Sequence, residues 1–322
     1  MGAHNSIIFA TFAAQNIHTM KDFELYRLRS VGAIIRDGYR LYMDNFRRIF
    51  RNTWFIVLLY AVSSGSMTAW FVNTFPKMML MTAGVDNQKD FLMTTGLVSL
   101  GVAIATIIIN IILAASGCSL LNAHRETGAI PVPSKWYGYM DRQTLIRTIT
   151  AYAVALLVFT LYGGCIGVAF WLLKGYLSMV ALGVLMLLFI ISALIIIPPV
   201  TMYMLNRILS PKGEQLKKGI FHPRYWGALY VVTLSVIIVS SLLALITELP
   251  ANILVMANMH SLTGLLQGDP SGMPDYVEWL NLVVFILANF IQAYVYLSMF
   301  FPFYYLYGSV QAQEKERSEL II

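Results

Sequence analysis

Three polar side chains in the last apolar stretch of the chain, Asn289, Gln292 and Tyr296, recur at i, i+3 and i+7 and so share one helical face. With Asn110 from an earlier apolar stretch they make a candidate polar track. Amides and a phenol inside a membrane can line a path for a polar solute or tie one helix to another. The second use, at about 1 kcal/mol per bond, is the commoner. A basic set stands beside it. On a helical wheel Arg29, Arg36, Arg40, Arg47 and Arg51 fall within about 60° of one another, while Leu28, Val31, Ile34, Ile35, Tyr39, Leu41, Tyr42, Phe46, Ile49 and Phe50 spread over the other side. Guanidinium groups opposite aromatics suit a helix lying in the headgroup layer of an anionic leaflet, where each basic residue contributes about 1 kcal/mol. A helix packed on neighbouring loops would carry the same pattern. Gly38 is where such a helix would divide in two.

Proline supplies the third signal. Pro198 and Pro199 interrupt "SALIIIPPVTMYML" and Pro302 interrupts "FFPFYYLYG", both otherwise membrane-like runs. Proline removes a backbone donor and crowds the preceding turn. Within a bilayer the freed carbonyls must find partners on neighbouring helices or in a wet cavity, so the spacing predicts protein-facing kinks. Catalytic signals are missing: the 16 Asp and Glu residues all read as lying in loops, surface stretches or span ends, with Glu248 at most at a helix terminus. His4, His18, His124, His222 and His260 are scattered, without metal-ligand or metalloprotease spacing. Neither a Walker A motif nor a dinucleotide fingerprint occurs. Cys118 and Cys165 fall in apolar runs and behave as small apolar residues. No catalytic residue, metal site or cofactor is expected, and the chain reads as non-enzymatic.

The elements that position these residues follow from charge spacing. With 58% hydrophobic and 12% charged residues, the composition departs far from the soluble norm of roughly a quarter charged. Six uncharged runs appear, residues 52–76, 91–124, 148–173, 175–206, 225–247 and 279–313, of 25, 34, 26, 32, 23 and 35 residues. Each exceeds the about 20 residues that cross the hydrocarbon. The expected fold is therefore all-α and polytopic, with six transmembrane helices arranged as three hairpins. Each hairpin follows a basic or amphipathic cytoplasmic segment, and short precedes long three times, which suggests a threefold repeat. The segments on the side of the termini hold 19 of the 22 Lys and Arg, so both termini are expected in the cytoplasm, in a bacterial inner membrane. The basic balance is a topology signal and implies no nucleic-acid partner. Trp54, Trp70, Trp136, Trp171, Trp226 and Trp279 sit at expected span ends, as an interfacial belt does.

Four regions result: residues 1–19, an extension before Met20 that is expected to be disordered or to precede the true start; 20–53, the interfacial helix; 54–310, the six-helix domain; and 311–322, a cytoplasmic tail. "MGAHNS" fits a myristoylation pattern, which a six-span protein does not need. Residues 249–278 form the one sizeable outer loop, apolar enough to lie on the surface or fold back, and Asp275 with Glu278 has capping-box spacing.

The stretch "VGAIIRDGYRLYMDNFRRIFRNTWFIVLL", followed by six spans with proline in the later even ones, resembles the membrane domain attached to some bacterial glycerophosphodiester phosphodiesterases and the related stand-alone inner-membrane proteins. The likeness covers residues 20–310 and implies a lipid-proximal role. It does not imply phosphodiesterase activity, which in that family lives in a separate soluble barrel absent from this sequence. The expected function is a scaffold or accessory subunit handling lipids or a lipid-linked substrate, with anionic lipids and a protein chain as partners. The alternative is a permease subunit gated at Pro198 and Pro199.

Overall fold

The computed structural model describes residues 25–82, 89–132, 140–173, 179–210, 223–267, 273–274 and 276–320. Its regular elements are helices: α1 Val31–Asp44, α2 Phe46–Thr82, α3 Lys89–Thr127, α4 Arg142–Leu173, α5 Met179–Leu209, α6 Trp226–Thr247, α7 Leu249–Leu266 and α8 Tyr276–Leu320. Six are long and apolar enough to cross a membrane: α2, α3, α4, α5, α6 and α8. The protein is an all-α polytopic membrane protein. The spanning helices pack as α2 on α3, α4 on α5 and, across the intervening α7, α6 on α8.

The organising element is α8. Its 45 residues extend about 67 Å at 1.5 Å per residue, roughly twice the hydrocarbon thickness. It packs against α1, α2, α3, α5, α6 and α7, and its buried face runs from Val277 to Gln311. The expected tail at 311–322 is thus, through Leu320, the last turns of this helix. Along α2 the contact is close enough to need glycine: a Cβ on Gly65 would lie 2.7 Å from the backbone of Ile286. Asn281 Nδ2 donates to Asn73 Oδ1 at 2.6 Å in the same seam.

The expected interfacial helix is two pieces. Ser30 caps α1, its hydroxyl accepting from the Ala33 N–H. Asn45, whose Nδ2 donates to the Leu41 carbonyl, separates α1 from α2, so residues 46–53 belong to the first spanning helix. The division falls at Asn45 and not at Gly38, which is helical and buried. There a Cβ would lie 2.6 Å from Pro302 Cα. Burial pushes the Tyr42 phenol above its ordinary range, with Tyr294 adding to the rise. It stays protonated and donates to the Tyr294 carbonyl at 2.9 Å.

Two further differences concern the ends of spans. The stretch expected as an outer loop begins with α7, which packs on α2 and α8. Pro250 does not prevent this, because the first turn of a helix uses no N–H there. The capping-box residue Asp275 lies outside the described residues, as do residues 1–24. At the other end of the bundle Gly128 adopts φ 73° and its N–H bonds the His124 carbonyl at 2.7 Å, closing α3 with a left-handed cap.

Candidate functional site

Four of the five wheel arginines lie on the surface. Arg36 and Arg40 keep 74% and 77% of their side-chain area exposed, and Arg47 and Arg51 are exposed on the first turns of α2. Their ion pairs, Arg36 with Asp37 at 3.2 Å and Arg40 with Asp44 at 3.5 Å, are solvent-facing, and such pairs contribute only about 0–1 kcal/mol. An incoming phosphate can therefore displace them at little cost. Exposed Met43, Phe46, Phe50 and Trp54 share this elbow between α1 and α2. Phe50 stacks on Tyr294 and Phe46 meets the same ring edge-on, which fixes the elbow to α8.

Arg29 departs from the set. Its side chain is 8% exposed and pairs with Asp37 at 3.4 Å, it donates to the Leu25 carbonyl at 2.8 Å, and it lies over the Tyr305 ring at 4.6 Å. It precedes the Ser30 cap, so the wheel does not apply to it. Its role is to strap the segment before α1 onto α8. Gly308 admits that strap, since a Cβ there would meet the Leu25 carbonyl at 2.5 Å.

The polar track is shared among several helix contacts. Ser64 donates to Asn289 Oδ1 at 2.8 Å, and Asn289 Nδ2 donates to the Phe285 carbonyl. The Tyr296 hydroxyl meets that of Tyr152 on α4 at 2.6 Å. Gln292 keeps a buried Oε1 with no hydrogen-bond partner. Asn110 lies half-buried on α3, one turn from Thr106, whose hydroxyl meets Ser63 at 2.8 Å. Ser64→Ala should cost about 0.6 kcal/mol and at most about 1.7, the range for single hydrogen bonds between membrane helices. Thermal unfolding in detergent reads that shift, and a loss well above it would mean that the seam does more than pack.

Pro198 is buried and Pro199 half-buried inside α5, which continues helical through both to Leu209. Pro302 is buried inside α8 beneath Gly38.

A buried polar cluster at the basic end of the bundle was not singled out from sequence. Asn122 Nδ2 donates to Thr144 Oγ1 and to the Ile208 carbonyl, both at 3.2 Å. Tyr307 receives Gln311 Nε2 at 2.7 Å and faces Ser210 Oγ at 3.3 Å, which in turn donates to Asn206 Oδ1. Arg125 donates to the Leu209 carbonyl and Arg147 to that of Ser210, at 2.7 Å for the latter. Two helices thus supply the donors that the end of α5 lacks. The signal was present in the polar endings "SLLNAHRE", "YMLNRILS" and "YLYGSVQAQ", but only packing reveals that they converge. Among the described residues no three His, Cys, Asp or Glu side chains gather as a metal site. No family model, curated protein or solved structure matches the chain.

Proposed function

We propose that the protein is a non-enzymatic component of a bacterial inner membrane that holds lipids or a lipid-linked substrate for a partner chain, with both termini in the cytoplasm. The observation that carries this reading is the elbow between α1 and α2, where exposed Arg36, Arg40, Arg47 and Arg51 alternate with exposed Phe46, Phe50 and Trp54. Guanidinium groups take phosphate in a bidentate fork, and aromatics beside them settle at headgroup level. The bonds of Asn289 to Ser64 and of Tyr296 to Tyr152 support helix packing over a solute path, so the permease reading ranks second.

The test is native mass spectrometry of protein extracted with its surrounding membrane, comparing the natural chain with Arg36→Glu/Arg40→Glu/Arg47→Glu. At about 1 kcal/mol per basic residue, the triple variant should hold anionic lipid about a hundredfold more weakly. Unchanged anionic-lipid occupancy would overturn the reading. A protein retained in fixed ratio would identify the partner.

A further inference from the structure

Arg47 and Arg51, one turn apart at the start of α2, are exposed, and among the described residues neither pairs with a carboxylate. α2 contains no Asp or Glu from Phe46 to Thr82. A third arginine of its opening turns, Arg48, donates to the Ile130 carbonyl at 3.4 Å. Three cations therefore stand at the positive end of a helix dipole, where anions are favoured and cations are not. Arg47 and Arg51 also repel each other as like charges at i, i+4. The arginines of α1 are compensated: Arg36 faces Asp37 and Arg40 faces Asp44, so a phosphate arriving there must first displace a carboxylate.

Beyond the arginines the same face of α2 turns apolar. Arg47, Arg51, Trp54, Leu58 and Val62 follow at i, i+4, i+7, i+11 and i+15, within about 80° of one another on a helical wheel, and all five are exposed. The stripe is bounded. Phe46 and Phe50 on one side rest against Tyr294, and on the other Asn52 Nδ2 donates to the Pro131 carbonyl at 2.9 Å. It ends at Gly65, on the same face, which is buried against the backbone of Ile286 of α8. From Arg51 to Val62 the helix rises about 16 Å, one leaflet of a hydrocarbon layer about 30 Å thick.

We infer that this stripe seats one anionic phospholipid of the leaflet at the arginine end. Its phosphate lies between Arg47 and Arg51, its glycerol esters beside the Trp54 indole, and a chain along Leu58 and Val62. The inference rests on the lipid-handling reading above and assigns the headgroup, within the elbow, to α2 and not to α1. A guanidinium fork matches the phosphate oxygens, and an indole settles at headgroup level. The uncompensated charge selects a headgroup of net negative charge, because the ammonium of an ethanolamine lipid would add a further cation to the set. A bound phosphate removes both the repulsion between the arginines and their mismatch with the dipole.

The full chain is stripped of lipid in detergent, and its thermal unfolding midpoint is followed as dioleoyl phosphatidylglycerol, dioleoyl phosphatidylethanolamine or inorganic phosphate is added. Phosphatidylglycerol should raise the midpoint, and the other two should leave it nearly unchanged. Arg47→Gln/Arg51→Gln should demand about thirtyfold more phosphatidylglycerol for the same rise, whereas Arg36→Gln/Arg40→Gln keeps the natural response. The lipid-free midpoint of Arg47→Gln/Arg51→Gln should itself be higher than that of the natural chain, which separates a lost site from a damaged fold. Equal weakening by the two pairs of exchanges would overturn the assignment to α2 and leave the elbow reading standing. A lipid response that neither pair changes would overturn both. A rise as large with inorganic phosphate would overturn the seat for a chain, and one as large with phosphatidylethanolamine the selection of an anionic headgroup.

Discussion

Gly38→Ala is expected to lower the thermal unfolding midpoint of the detergent-solubilised protein, whereas Gly32→Ala, on the same helix, raises it. Both exchanges gain helix propensity, about 1 kcal/mol for alanine over glycine in a helix interior. They differ in what the new methyl meets. At Gly32 nothing lies within 4 Å, while at Gly38 the Cβ would fall 2.6 Å from Pro302 Cα and N and 3.0 Å from the Phe301 carbonyl carbon. Those atoms are backbone of the longest helix in the protein and cannot swing aside, so α1 itself must rise. Overpacking of this kind costs about 1–3 kcal/mol, which outweighs the propensity gain. The rise also strains what α1 carries, the Tyr42 bond to Tyr294 and its ring contact with Phe301. Limited proteolysis should then cut between residues 25 and 46 in Gly38→Ala and spare Gly32→Ala. Equal behaviour of the two variants would show that α1 does not rest on α8 at this point.

Glycine 38 also marks the limit of what the chain spells out. The spans were legible because charge is costly in hydrocarbon, and the six uncharged runs coincide with six apolar helices. That spacing reports how long each crossing is and nothing about how far one helix slides along another. The axial offset of α6 and α7 on α8, set by Tyr225 at Glu314 and Ala251 near Ala288, is of that kind. Arg29 departs from the wheel for a local reason: a wheel holds only within a helix, and Arg29 precedes the Ser30 cap, a serine before "VGAII" being itself a start signal. A mid-helix glycine reads equally as a weak point or a close contact, and only the partner backbone at Pro302 decides.

Removing Arg125 and Arg147 together should loosen the basic end of the bundle. Arg125 comes from α3 and Arg147 from α4, yet both donate to the last carbonyls of α5, at Leu209 and Ser210. Leu209 and Ser210 are buried, so water cannot replace the lost donors without opening the contact. A buried acceptor left unpaired costs about 1–3 kcal/mol, more when the lost donor is charged, and a cation at a helix C-terminus adds about 0.3–1 kcal/mol. Each single exchange to methionine, which keeps most of the apolar stem, should therefore cost about 2 kcal/mol. The double variant need not cost the sum. If the two guanidinium groups cap one helix end as a unit, the first loss frays the last turn of α5 and the second finds less to remove, so the pair couples by about 0.5–3 kcal/mol. A double-mutant cycle on thermal unfolding, with Arg→Lys exchanges to separate charge from the guanidinium fork, reads this directly. Strict additivity would mean that the carbonyls of Leu209 and Ser210 are held independently, and α5 would then be anchored by its apolar contacts with α4 and α8.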